Sequence, residues 1–188
     1  ADSPYGNTKG MSEDIIRDWM RVEPDMKALA LRYFPPIGAH PTAFIGELPN
    51  GVPNNLIPYL TQTAIGIREQ LSVFGDDYNT PDGSPLRDYI DVVDLAQAHV
   101  VAIRRLLDGK NKKNYEFFNI GTGKALSVLE IIHAFERATG VKVNYKVVGR
   151  RAGDIEKVWA DTTLANNELG WKTVTPIEET LANAWKWQ

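Results

Sequence analysis

Short apolar runs alternate with amphipathic stretches along this chain, and that alternation limits the fold more than any single motif does. Lys27 to Phe34, Leu71 to Gly75, Arg87 to Val93, Tyr115 to Gly121 and Val141 to Val148 have the length and composition of strands. Lys27 to Phe34 and Tyr115 to Gly121 are mostly apolar, as expected of strands buried in a parallel sheet. Between the runs the period is helical. A helix is predicted from about Tyr5 to Val22, with Met11, Ile15, Trp19 and Met20 on one side. Asp94 is the expected cap of a helix that carries Leu95, Ala98, Ala102 and Leu106 and stops at Gly109. Ser127 and Glu130 form a capping box for a helix ending at Gly140. Asp161 caps a short helix ending at Gly170, and Thr175, Pro176 and Glu178 open the last one. A Pro/Gly-rich loop from Pro35 to Asn54 leads into a helix opening at Asn54 or Asn55, in which Pro58 fits only the first turn. Helices alternating with apolar strands imply an α/β protein with a largely parallel sheet.

Composition narrows the class. With 188 residues, 43% hydrophobic and 24% charged, the chain can bury a sizeable core as one domain or one and a fraction. No apolar run approaches the roughly 20 residues of a membrane span, so no membrane partner is expected. Zero cysteines exclude disulfides, thiolate catalysis and cysteine zinc sites, and with the rest favour the cytoplasm. A net charge of −3 and a pI near 5.7 argue against a broad nucleic-acid surface. An anionic ligand would have to be met by a few placed arginines. His40, His99 and His133 are scattered, and no metal site is expected.

The string Ser3-Pro-Tyr-Gly-Asn-Thr-Lys9 carries a Tyr and a Lys four residues apart, on one face of the first helix. An ammonium beside a phenol stabilises the phenolate and helps it exchange protons. Tyr5 and Lys9 are therefore a candidate catalytic pair. A Gly-x-Gly-x-x-Gly or Gly-x-x-Gly-x-x-Gly phosphate loop is absent from these residues, so the half that would grip a dinucleotide is expected to lie outside them.

Further strings stand in order along the chain: Leu31-Arg-Tyr-Phe34, Ile37-Gly-Ala-His-Pro41, Gly51-Val-Pro-Asn-Asn-Leu56, Val73-Phe-Gly-Asp-Asp-Tyr78, Arg87-Asp-Tyr-Ile90 and Val93-Asp-Leu95. With the Tyr5–Lys9 string, they closely resemble the UDP-glucose 4-epimerase (UDP-galactose 4-epimerase) family of extended short-chain dehydrogenases/reductases, from Ser3 almost to Gln188. The resemblance implies the C-terminal part of that fold: an incomplete Rossmann sheet plus a smaller mixed α/β domain that binds the UDP-sugar. Residues 1–36 would be the tail of the NAD-binding domain and residues 37–188 the UDP-sugar domain, with about 87–122 returning to the Rossmann sheet.

The same resemblance implies NAD as cofactor, UDP-glucose or UDP-galactose as substrate, a 4-keto intermediate and a homodimer built through helices next to the Tyr. It makes Tyr5 the base and acid at the sugar 4-hydroxyl and puts Lys9 on the nicotinamide ribose. It sets Tyr33 and Phe34 against the nicotinamide and the sugar, where the residues alone read as core aromatics. Asn55 and Leu56 match diphosphate contacts at a helix start, although Asn55 could simply cap that helix. Ser72, Val73 and Phe74 match the segment that edges and stacks the uracil, or are a plain buried strand. Arg87 and Arg151 are forks suited to the diphosphate. Asp154 would accept from a sugar hydroxyl or orient Arg151. Val158 is small where some family members carry Tyr, which implies room for a 2-acetamido group. One departure is clear: the family usually reads Tyr-Phe-Asn-Pro, and Pro35 cannot supply that amide. A UDP-glucuronate epimerase, a nucleotide-sugar dehydratase and a non-catalytic UDP-sugar-binding fragment are the rival readings.

Overall fold

The computed structural model describes residues 3–188. Helix α1 (Pro4–Val22) begins on a local rule: the Ser3 side chain accepts from the Gly6 N–H at 3.0 Å, and Pro4 occupies the first turn, where its missing N–H costs nothing. Strand β1 (Ala28–Tyr33) follows, then β2 (Pro36–Ile37), the loop over 38–54 and α2 (Leu56–Ala64). Next come β3 (Leu71–Phe74), β4 (Leu86–Arg87), β5 (Ile90–Asp91), α3 (Val92–Leu107), β6 (Tyr115–Ile120), β7 (Leu126–Ser127) and α4 (Val128–Thr139). The chain closes with β8 (Tyr145–Val148), β9 (Lys157–Val158), α5 (Thr163–Leu169) and α6 (Ile177–Trp187).

The longest pairing joins β1 to β6 in parallel, from Ala28 opposite Tyr115 to Tyr33 opposite Ile120. Also parallel are β2 with β5, β3 with β8, and β4 with β9, while β4 and β7 run antiparallel. The fold is thus mixed α/β with parallel pairs, as the alternation implied. The run Arg87 to Val93 is a correction: it breaks into β4 and β5, because buried Asp88 and Tyr89 leave the ladder between them.

Two cores hold these elements. In the first, Ile57 and Leu60 of α2, Leu71 and Val73 of β3, Ile131, Ile132 and Phe135 of α4, and Leu181 of α6 pack together. In the second, Ile90, Leu95 and Ala98 pack with Phe118 and Ile120 of β6, Ala165 of α5 and Trp171, with Leu29 and Leu31 of β1 against them. Trp171 is buried in the second core, and Trp185 meets Phe135 of the first edge-on at 5.7 Å.

The cap of α3 is a second correction. Asp91, not Asp94, accepts from the Val93 and Asp94 N–H groups, at 2.7 and 3.3 Å. Asp94 turns instead to the distant segment before α6 and accepts from the N–H groups of Val174 and Thr175, both at 2.9 Å. The capping box of α4 is present as expected, with Ser127 Oγ accepting from Glu130 N–H and the Glu130 carboxylate accepting from Ser127 N–H.

The apolar side predicted for α1 also divides. Ile16 and Met20 are half-buried toward the sheet, whereas Met11, Ile15, Trp19 and Val22 form a stripe facing outward. A polar cluster sits under the helix. Glu13 accepts from Arg32 at 2.7 and 2.6 Å, from Arg17 at 2.9 Å and from the Tyr115 hydroxyl at 2.7 Å, linking α1 to both β1 and β6.

Candidate active site

A cavity of about 390 Å³ opens beside the start of α2. That is the size of a small-molecule site. Its wall contains Asn55 and Leu56 from the head of α2, Ser72 and Phe74 from β3, Arg87 from β4, and Arg151 and Asp154 from the loop after β8. The structure therefore brings together most of the residues singled out for a UDP group. It also adds Glu47, Tyr89 and Val128, which the sequence reading passed over, and Pro35 and Pro36 at the end next to β1.

The cavity has an anionic ligand's complement. Two guanidinium groups reach its wall. Arg151 lies with its Cζ 5.3 Å from the centre of the Phe74 ring, and Asp154 accepts from its Nη2 at 2.8 Å. Of the two roles open to Asp154, this contact is the orienting one. Neighbouring Arg150 is engaged elsewhere: it donates to Asp77 at 2.6 Å and stacks over Tyr78 at 4.0 Å. Arg87 donates one bond to the Leu86 carbonyl at 2.8 Å and keeps the rest of its fork available.

At the head of α2, Asn55 is the cap by backbone position, but among the described residues its side chain makes no capping bond. Its Nδ2 donates to Glu47 Oε1 at 2.8 Å instead. The first N–H groups of α2 therefore lack a side-chain acceptor, and the positive end of the helix borders the cavity. This separates the two readings of Asn55, since capping by its carboxamide is not what it does. Val73 contributes no side chain to the wall, because its valine methyls are fully buried in the first core. Val158 lies outside the cavity wall and in register with Arg87 across the β4–β9 pair.

Tyr5, Lys9, Tyr33 and Phe34 do not line the cavity. Tyr5 is 72% exposed, and Lys9 Nζ is 5.0 Å from the centre of its ring, a cation–π contact at the ring face. Tyr33 ends β1 half-exposed and meets His99 edge-on at 6.0 Å. Phe34 follows the carboxyl end of β1, and the cavity wall begins one residue later at Pro35. Crevices outside the carboxyl ends of parallel strands are the usual ligand sites of such sheets. Among the described residues no group of acidic and histidine side chains could hold a metal ion, and no helix is long and apolar enough to cross a membrane.

A family model described as GDP-mannose 4,6 dehydratase matches residues 1–184. This chain belongs to that family. Its likeness within the family is to the UDP-glucose 4-epimerases. It is 50% identical over 188 residues to UDP-glucose 4-epimerase of Bacillus subtilis (strain 168), a match covering 100% of this chain and 55% of that protein. The chain superposes with a TM-score of 0.94 and 47% identity on UDP-glucose 4-epimerase from Stenotrophomonas maltophila, solved with NAD and formylated UDP-arabinopyranose, covering 100% of this chain and 55% of that one. With the epimerase from Bifidobacterium longum, in complex with NAD+ and UDP, the TM-score is 0.90 at 44% identity, covering 99% of this chain and 54% of that one. The chain thus spans about half the length of the relatives it matches. Its fold is that of the extended short-chain dehydrogenases.

Proposed function

We propose that this chain carries the UDP-sugar site and the proton-transfer pair of an NAD-dependent UDP-glucose 4-epimerase. The observation that carries this reading is the convergence of Asn55, Ser72, Phe74, Arg87 and Arg151 on one cavity next to the end of β1. The diphosphate lies between the two guanidinium forks and the uncapped start of α2. The uracil stacks at Phe74, whose opposite neighbour is the Arg151 guanidinium. The sugar reaches past Pro35 toward Tyr5.

Tyr5, Lys9, Tyr33 and Phe34 suit the reacting end of NAD: an exposed phenol, an ammonium able to bond ribose hydroxyls, and apolar ring faces at the end of a parallel strand. When bound, NAD supplies the hydride acceptor at C4. Tyr5 takes the proton from the 4-hydroxyl and later returns it, and Lys9 favours the phenolate while it does so. In this reading residues 1–36 and the β1–β6 pair belong to the cofactor-binding part, and two copies assemble through the outward stripe of α1. Val158, small beside Arg87, leaves room for a 2-acetamido group, so UDP-N-acetylglucosamine is a further substrate.

Proton NMR of UDP-galactose incubated with NAD and a full-length protein that joins this chain to a dinucleotide-binding half tests the proposal; this chain alone is expected to be inactive. The anomeric signal of UDP-glucose should appear, and Tyr5→Phe should slow it about 100- to 10,000-fold without loss of UDP binding. UDP binding with no conversion would favour the rival reading, a UDP-sugar-binding module. Absence of any UDP-N-acetylglucosamine product from an otherwise active protein would remove the assignment made to Val158.

A further inference from the structure

Glu47 is an unexpected residue in a cavity read as a diphosphate site, because its charge has the wrong sign for the ligand. Its contacts explain its presence. Glu47 Oε1 accepts from Asn55 Nδ2 at 2.8 Å, and its backbone carbonyl accepts from Trp187 Nε1–H at 3.0 Å. Gly46 lies flat on the same indole: a Cβ there would run into the ring of Trp187. The loop is tied again where Lys186 Nζ donates to the Pro41 carbonyl at 2.8 Å. The end of α6 thus fastens the loop that carries Glu47.

An asparagine carboxamide has a donor end and an acceptor end of nearly the same shape, so packing alone does not choose between them. A carboxylate does choose. It accepts from the NH₂ group and repels the carbonyl oxygen. We propose that Glu47 is a positioning residue that fixes the sense of the Asn55 carboxamide, with Trp187 as its anchor. With Nδ2 held by Glu47, Asn55 presents its carbonyl oxygen to a ligand hydroxyl or imide N–H, and its side chain is kept away from the first N–H groups of α2. Those groups stay available to phosphate oxygens. This proposal rests on the reading of the cavity as a UDP site.

The test is a double-mutant cycle read by calorimetric titration of UDP into the chain. Glu47→Ala should weaken UDP about five- to tenfold, the loss expected when one partner of a charge-assisted bond is removed. Asn55→Ala should weaken UDP by a similar factor. The double variant should bind no worse than Asn55→Ala alone, because Glu47 acts through Asn55. Glu47→Gln, whose own carboxamide can turn either end to Asn55, should leave UDP binding weaker than in the wild type. Additive losses, or a Glu47→Ala chain that binds UDP as tightly as the wild type, would overturn the role of Glu47 while leaving the UDP site standing. A wild-type chain that binds no UDP would overturn the functional reading and this role with it.

Discussion

Asp88 shows how much of this molecule depends on single carboxylates. It has no exposed surface, yet it accepts from Thr122 N–H at 2.9 Å, Thr122 Oγ1–H at 2.6 Å, and the N–H groups of Gly123 and Ala160, both at 3.1 Å. Asp88→Ala would leave these backbone donors, the buried Ala160 N–H and the half-buried Thr122 and Gly123 N–H groups, without this acceptor. It should lower stability by about 3 kcal/mol, measurable as a reduced midpoint in urea unfolding with little change in slope. Such roles are poorly legible in a sequence. Asp91 and Asp94 both fit the local rule for capping α3, and the choice is made by Val174 and Thr175, which lie 80 and 81 residues from Asp94. The Ser127–Glu130 box was legible because both of its bonds close within three residues. In the site, forks and a helix start could be read from Arg87, Arg151 and Asn55. Glu47 could not, since its partner at the end of α6 stands 140 residues away.

Among the elements, α1 is the least anchored. Among the described residues none of its side chains is fully buried, and the Glu13 cluster is its main polar tie to the sheet. The Arg32 bonds, with help from the Tyr115 hydroxyl and the charge of Arg17, outweigh burial and hold the Glu13 carboxyl down at about 2, from an ordinary 4.5. A depressed carboxylate stabilises the folded state above its ordinary value and loses that contribution as pH falls toward its folded one. The tie should be fully present above about pH 4.5 and fade as pH drops toward 2. Hydrogen exchange on α1 checks this. Wild type and Glu13→Gln should differ at neutral pH, the variant exchanging faster, and should converge in acid. Helical period announced a stripe on α1 but not its direction, because period is a property of one helix and direction depends on where β1 and β6 lie.

For the whole molecule, the outward stripe of Met11, Ile15, Trp19 and Val22 matters most. If two copies pair there, Trp19→Glu should convert a dimer into a monomer in sedimentation velocity, at unchanged UDP affinity. The parallel α/β class could be read from the alternation of elements. The division into two cores could not, since it depends on which strands neighbour which. Those cores adjoin at the start of β5: Tyr89 packs into the first and Ile90 into the second, adjacent residues of one short extended segment. Neither core can melt without releasing the backbone that shapes the other. Heat should therefore meet a single cooperative unit, with the calorimetric enthalpy equal to the van't Hoff enthalpy. A cavity cut at Leu181, in the first core, should loosen the packing around Trp171 in the second, and the arginines on the cavity wall keep their aim only while both cores stand.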